Sequence, residues 1–384
     1  MNHTTLRFRR VRHFAYRHGG PLDPYFTRQR TESNYYTVDG VSGNVGAAPG
    51  LGMLLGAGPS GSVAAATTLG TTQALVSVDD LQEFRVQSST YSAEYGRSPG
   101  GQFAFDTKSG TNQWHGTAYD YLRNDYFDAN DWFNNYLGVK EPALRQNDFG
   151  GTLGGPVRVP AVYNGKDKTF FFVSYEGLRL IQPQEATNNE FVPDLCMRGM
   201  GACPSGRNPG SSALQPVLNA FPLPGPSGLD DATNGLAQFL GAWSNPSSLN
   251  STSVRVDEKI NDKLRVFFRF SDTASSSAVR ATGGSPPTQD TKTASSLRTY
   301  TAGVSGAFSS RLSNEFRLNY SSNLATSRAA IDAFGGSTPV DLGQLVGLGP
   351  DSSPVFGLFY GGITFNWSRD SNPALSGSGI WSTP

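Results

Sequence analysis

Stretch after stretch of this chain alternates a large apolar residue with a small or polar one. Gln113–Arg123 (QWHGTAYDYLR) sets Thr117, Tyr119 and Tyr121 against Gly116, Ala118 and Asp120. Lys168–Leu178 (KTFFFVSYEGL) sets Phe171, Val173 and Tyr175 against Phe172, Ser174 and Glu176. Leu264–Asp272 sets Leu264, Val266, Phe268 and Phe270 against Arg265, Phe267, Arg269 and Ser271. The same beat runs through Gln102–Lys108, Ser253–Glu258, Arg298–Phe308 and Asn314–Ser321. Successive side chains of a strand point to opposite faces, so a period of two predicts half-buried strands. Asn147–Val157 (NDFGGTLGGPV) fits less well, and its glycines predict a bend or a close approach of other backbone.

Alternation alone leaves two architectures open. Charges such as Glu176, Arg265, Arg269 and Arg317 on the face opposite the aromatics suit a barrel with lipid outside and a wet lumen. They also suit a soluble sandwich with a solvated face. The connections discriminate. With the strand from 113 running outward, the first connection, near 124–145, is long, and Arg158–Asp167 is shorter. The stretch 180–250 is very long, Glu258–Lys263 is tight, Ala274–Ser296 is long and polar, Ser309–Arg311 is tight, and the chain after 322 is long again. Outer-membrane barrels gather short turns at one end and long loops at the other, whereas long structureless loops are unusual inside a compact soluble domain. The Pro, Gly and Asn content of 180–250 argues against any regular core element there.

Composition agrees. Hydrophobic residues are 37% of the chain, yet aromatics reach 11%, and there are 45 glycines, as expected of many short strands with polar loops. No apolar run is long enough for a membrane helix, but a barrel strand needs only roughly 9–11 residues with every second one apolar. The 31 basic and 31 acidic residues cancel, which argues against a global nucleic-acid binder. The first residues, MNHTTLRFRRVRHFAYRHGG, are basic but lead into no apolar segment, so they do not read as a signal peptide; for an exported protein the true start would lie upstream.

No enzyme signature is present: there is no G-x-S-x-G, no H-E-x-x-H, and Asp79-Asp80 and Asp230-Asp231 are adjacent, so in extended chain they point apart. GAGPSGS, within the Gly/Ala-rich stretch 41–77, lacks the Lys-Ser/Thr of a phosphate loop. Cys196 and Cys203 are candidates for a local disulfide, with free thiols or a metal as the alternatives; His3, His13, His18 and His115 all lie far from them in sequence.

Several motifs occur in a specific order. Glu83-Phe84-Arg85-Val86, Tyr95-Gly96, Gly100-Gly101 and Thr107-Lys108-Ser109-Gly110 resemble the C-terminal end of the plug of TonB-dependent outer-membrane transporters. ESNYYTVDGV (32–41) resembles an earlier plug strand. TNQWHGTAYDYLRND (111–125), LRQNDFGGTLGGPV (144–157), KDKTFFFVSYEGLR (166–179), SVRVDEKINDKLRVFFRFS (253–271) and LSNEFRLNYS (312–321) resemble the opening barrel strands of the Oar-like branch of that family. The resemblance implies a mostly β chain: an unplaced basic segment at 1–29, the C-terminal part of a plug at 30–110, and the first part of an antiparallel transmembrane barrel at 111–384. Long extracellular loops are expected near 124–145, 180–250, 274–297 and 323–360. About eight strands are expected, or nine with GITFNWS (362–368), against about 22 in a closed barrel of the family. A chain truncated at both ends is therefore expected.

The resemblance further implies import of an unidentified extracellular ligand, energised by a TonB complex, in the outer membrane of a Gram-negative cell. Outer-membrane lipid is an expected partner; catalysis, a cofactor, a resident metal and a nucleic-acid partner are not expected. Asp120, Glu176, Arg265, Arg269 and Arg317 are the lumen-facing candidates, paired with the plug or merely solvated. Tyr119, Tyr121, Phe171, Tyr175, Phe268 and Tyr320 are the lipid-facing candidates, whose alternative is an ordinary sandwich core. Trp114 and Trp132 are candidate interface anchors. Two other readings remain: an outer-membrane barrel with a surface-organisation or adhesion role, and a secreted adhesin-like β-sandwich.

Overall fold

The structure is a computed structural model that describes residues 34–45, 64–87, 100–225, 235–281, 285–347, 355–360, 363–368 and 374–382. The basic segment 1–29, GAGPSGS and Tyr95-Gly96 lie outside the described residues.

Four strands make a small sheet: β1 (Tyr35–Val38), β2 (Val41–Ser42), β3 (Leu81–Gln87) and β4 (Gln102–Thr107). Their order is β2-β1-β4-β3, with β1 and β4 parallel and the other pairs antiparallel. Asp39 and Gly40 join β1 to β2, both with positive φ (47° and 76°). Two such residues in succession give a turn whose twist matches the strands, which is why Asp-Gly suits this hairpin. The alternation in β4 points Phe103 and Phe105 into a core with Tyr36, Val38, Ala74 and Leu75. Tyr36 stacks on Phe103 at 4.8 Å between ring centroids, and Phe84 lies 5.0 Å from Phe105.

Beyond them the chain forms β5 (His115–Asn124), the short helix α1 (Trp132–Tyr136), β6 (Arg145–Pro156), a two-residue hairpin of β7 (Arg158–Val159) and β8 (Tyr163–Asn164), and β9 (Thr169–Pro193). After α2 (Gln215–Asn219) come β10 (Leu236–Asn261), β11 (Leu264–Arg280), β12 (Gln289–Ser309) and β13 (Leu312–Ile331). The chain continues through α3 (Leu342–Leu345), β14 (Val355–Tyr360), β15 (Ile363–Ser368) and β16 (Ala374–Ser382). Eight of these strands form one antiparallel sheet in the order β16-β13-β12-β11-β10-β9-β6-β5. It is open, with β5 and β16 at its edges. The eighth strand is β16; Ile363–Ser368, from the GITFNWS stretch, instead forms a separate hairpin with β14.

Successive connections alternate between two ends of the sheet, but length does not sort them cleanly, since 157–168 is longer than 281–288. The tight end holds 157–168, 262–263 and 310–311, and the other holds 125–144, 194–235, 281–288 and the chain after 331. The strands, however, run much further toward the long end than expected. Residues 180–193 and 236–250 are not loop but the upper halves of β9 and β10, paired from Leu180↔Ser247 to Pro193↔Leu236. The connection expected at 274–297 shrinks to 281–288 because β11 and β12 pair as far as Arg280↔Asp290, and β13 likewise continues to Ile331. Backbone pairing across the ladder carries these Ser-, Pro- and Asn-rich segments, which have little β preference of their own.

Candidate functional site

In an antiparallel ladder, directly paired residues share a face, so the register assigns every side chain once one row is known. Glu176 pairs with Gly150 and Ser251, Ser251 with Thr273, Thr273 with Leu297, and Leu297 with Asn323. The small sheet and its leading segment 64–80 pack against this face. Glu176 accepts hydrogen bonds from Gln73 Nε2 (2.7 Å) and from the Ser77 hydroxyl. The Thr68 N–H donates to Ser275 Oγ at 3.0 Å, and Leu69 packs on Leu144, Leu178, Leu180 and Leu249.

The densest charge cluster lies lower in the same seam. Asp39, in the β1–β2 turn, accepts from the N–H (2.9 Å) and the hydroxyl of Thr107 and from Arg255 Nη1 at 3.1 Å. Arg255 also grips Asp257 (2.9 Å), bonds the Thr107 hydroxyl (2.9 Å) and lies over the Phe267 ring. Arg269 is 2% exposed; it donates to the Leu75 carbonyl at 3.1 Å and stands 3.8 Å from Asp39 and 3.7 Å from Asp80. Neither carboxylate oxygen of Asp80, nor Arg269 Nε, has a hydrogen-bond partner. Burial holds the Asp80 carboxyl above its ordinary pKa, with the Arg269 charge opposing. At this cluster the seam is polar with incomplete hydrogen bonding, whereas Leu69 and Leu297 give it apolar contacts elsewhere.

Among the lumen candidates, Glu176, Arg265, Arg269 and Arg317 share the face toward the small sheet. Arg317 lies against Gly40, where any side chain would collide with its guanidinium, and Arg265 is exposed near the tight end. Phe171, Tyr175, Phe268 and Tyr320 all point the other way. β5 is reversed. Tyr119 pairs with Gly150 and Tyr121 with Asp148, which puts both tyrosines on the Glu176 face. Asp120 pairs with Phe149 and joins the opposite, outward face. The glycine at 150 supplies the space: a Cβ there would meet the Tyr119 hydroxyl and the Tyr175 carbonyl. So the β6 glycines make no bend; Gly150 admits an aromatic ring from β5.

Sequence reasoning missed Asp39, Gln73, Ser77, Asp80, Thr107 and Arg255 as members of the seam. Asp79-Asp80 does not sit in extended chain; Val78–Asp80 is a 3₁₀ turn that buries Asp80. An odd-numbered charge in a strand of alternating valines was the available signal for Arg255. The acids could not be found without knowing what packs on them.

On the outward face, Phe270, Tyr300 and Tyr320 form a row with centroids 5.0 and 6.2 Å apart. Phe268 is 47% exposed and Tyr320 52%, with Phe308 and Leu312 exposed toward the tight end. From Tyr300 to Phe308 this apolar band covers about 26 Å of strand, which at the usual barrel tilt is about 20 Å of height, most of the roughly 25 Å outer band of an outer-membrane barrel. Just beyond Tyr300 the outward face turns polar with the Arg298–Asp272 ion pair (3.1 Å). The strands continue about 35 Å past that row. Trp114 meets Phe171 edge-on at 5.4 Å, whereas Trp132 lies in α1, in the connection 125–144 at the long-loop end, stacked on Tyr136.

The long-loop end is itself ordered. A disulfide joins Cys196 and Cys203. Buried Arg198 donates to the carbonyls of Pro193 (2.9 Å), Phe221 (3.0 Å) and Pro222 (2.5 Å). Burial pulls its pKa down to about 10. Burial opposes ionisation of Asp194, but hydrogen bonds from Arg207 (2.7 Å) and the Met197 N–H outweigh it and hold the carboxyl below its ordinary pKa. Asp332 is likewise lowered, burial being outweighed by Arg280, which grips it at 2.5 and 2.8 Å. Val192, Phe221, Phe239, Trp243 and Phe334 pack together beneath these pairs. Among the described residues, no three His, Cys, Asp or Glu side chains converge to hold a metal ion.

An antiparallel sheet with an aromatic outer face, a polar inner face covered by a second sheet, and long connections at one end defines a wall of an outer-membrane β-barrel. The chain belongs to the outer membrane beta barrel domain family, whose model matches residues 106–379, and its place is the cell outer membrane. It is similar to the TonB-dependent transporter Oar of Myxococcus xanthus, 29% identical over 114 residues that make up 26% of this chain and 9% of Oar. Among solved structures it is similar to the outer membrane transporter YddB from Escherichia coli, with a TM-score of 0.44, 11% identity, and coverage of 78% of this chain and 32% of YddB. It is also similar to the siderophore receptor PirA from Acinetobacter baumannii, with a TM-score of 0.39, 13% identity, and coverage of 81% of this chain and 35% of PirA. The chain thus spans about a third of YddB and of PirA, and the part matched to Oar is 9% of that protein.

Proposed function

We propose that the chain is part of a TonB-dependent transporter that imports a ligand across the outer membrane. Residues 30–110 are the C-terminal part of its plug, and 111–384 are the first part of its barrel. Glu176, Arg265, Arg269 and Arg317 then face the lumen, joined by Tyr119 and Tyr121, while Phe171, Tyr175, Phe268 and Tyr320 meet lipid. The observation that carries this reading is the seam. A domain that must move aside on a pull needs contacts that water can replace, and charged, incompletely hydrogen-bonded groups such as Arg269 and Asp80 meet that need better than an apolar core. The energy-coupling complex is the partner that would supply the pull, and the long-loop end is where a ligand would be met.

The test uses the full-length protein in its own cell. Its recovery in the detergent-solubilised outer-membrane fraction is expected, and recovery in the aqueous phase would exclude any barrel reading. Deleting the energy-coupling protein should then abolish the growth or uptake phenotype that depends on this protein. A phenotype that persists unchanged would favour a surface-organisation role instead.

A further inference from the structure

The outward face beyond the Tyr300–Tyr320 row carries a charge arrangement that the transport reading does not use. Lys292 on β12 pairs directly with Arg328 on β13 and, on its other side, with Ala278. Two cations directly opposite in a ladder repel one another and destabilise the sheet. Other cations on this face stand apart from one another: Arg298 meets Asp272 (3.1 Å), Arg280 meets Asp332 (2.5 Å), Arg179 donates to the Asn250 side chain (2.8 Å), and Arg145 pairs in the ladder with Asn124 and Ile181. Arg328 has no ion pair or hydrogen bond among the described residues, and Lys292 only reaches Asp290 on its own strand at 4.0 Å, with its side chain 74% exposed. Beside them lies a shallow saddle, formed because Pro246, Ser248, Ser276, Ala278, Ala294 and Thr326 are all small. The Ser248 and Ser276 hydroxyls stand 2.8 Å apart within it.

The height of this patch points to its occupant. Lys292 and Arg328 lie about 26 Å of strand beyond Tyr300 and Tyr320, which at the usual barrel tilt is about 20 Å above the aromatic row. That is outside the hydrocarbon and within the sugar layer of the outer leaflet, where the lipid is a phosphorylated glycolipid. We propose that Lys292 and Arg328 bind a phosphate of lipopolysaccharide, with the serine saddle taking the adjoining sugar. An external phosphate removes the repulsion between the cations and accepts charge-assisted hydrogen bonds from both. The inference rests on the outward face being the lipid-contacting one.

The experiment takes full-length protein in detergent and titrates it with purified rough lipopolysaccharide, either native or chemically dephosphorylated. The wild type should bind the native form about tenfold more tightly than the dephosphorylated one. K292Q/R328Q should lose most of that difference while binding the dephosphorylated form unchanged. Equal binding of the two forms by the wild type, or full preference retained by the variant, overturns the proposal. The wild-type comparison decides even if the variant folds poorly. Recovery of the wild type outside the outer-membrane fraction would instead remove the outward-face reading itself.

Discussion

Arg269 and Asp80 offer the sharpest test of the seam. Arg269→Met leaves a methionine of similar length in a site where the arginine was 2% exposed, and strips Asp80 of the cation 3.7 Å away. Removing one partner of a buried ion pair costs about 3–5 kcal/mol, because the other charge stays buried and unmatched. Asp80→Asn should cost far less, since burial already disfavours the ionised carboxylate. In the double variant the stranded charge is gone, so the two effects should couple favourably by about 2–3 kcal/mol. Protease accessibility of residues 64–87 in the full-length protein, under conditions where it tracks the opened population, reads this out. Arg269→Met should raise cleavage by between about a hundredfold and several thousandfold, and adding Asp80→Asn should reverse a large part of that rise. The pH dependence gives a second arm. Asp80 is raised when docked and ordinary when released, so docking is strongest below the ordinary carboxyl pKa. It weakens as pH rises from there through the raised value, then levels off. Asp80→Asn should abolish that slope. Additivity of the two substitutions within about 0.5 kcal/mol would refute the pairing.

Three further outcomes are expected. Gly40→Val places a β-branched residue at φ 76° against the Arg317 guanidinium, and should cost at least about 1–3 kcal/mol of small-sheet stability in urea titration; an unchanged midpoint would mean the turn is not built this way. Replacing Cys196 and Cys203 by serine should cost about 2–3 kcal/mol locally, seen as faster proteolysis of 194–225 with the heat-modifiable mobility of the barrel unchanged. Asp194 and Asp332 are lowered, so their stabilisation is present above the ordinary carboxyl pKa and lost as pH falls through the depressed values; hydrogen exchange should show 194–225 and 332–347 loosening in acid while the strands stay protected.

Much of the wall was legible from residue order. Period two in β9, β11, β12 and β13 predicted which side chains share a face, and Phe171, Tyr175, Phe268 and Tyr320 do lie together opposite Glu176, Arg269 and Arg317. The same alternation misassigned β5, because Thr117, Tyr119 and Tyr121 look like an outward aromatic row. Gly150, on the neighbouring strand, leaves the space that the inward Tyr119 side chain occupies. Ser, Pro and Asn discourage strands locally, so the extensions of β9 to β13 look like loop in sequence, and the cross-strand ladder overrides that tendency.

By itself the sequence determined the class: alternating aromatics, connections that alternate between two ends and an ordered set of motifs admit an outer-membrane barrel wall. Tertiary structure decided the sign of each face and the partners within the seam. Alternation is symmetric under exchange of the two faces, so only a packed neighbour can say which one is inside. Asp39 meets Arg255 across 216 positions of chain, a separation over which no local pattern carries information.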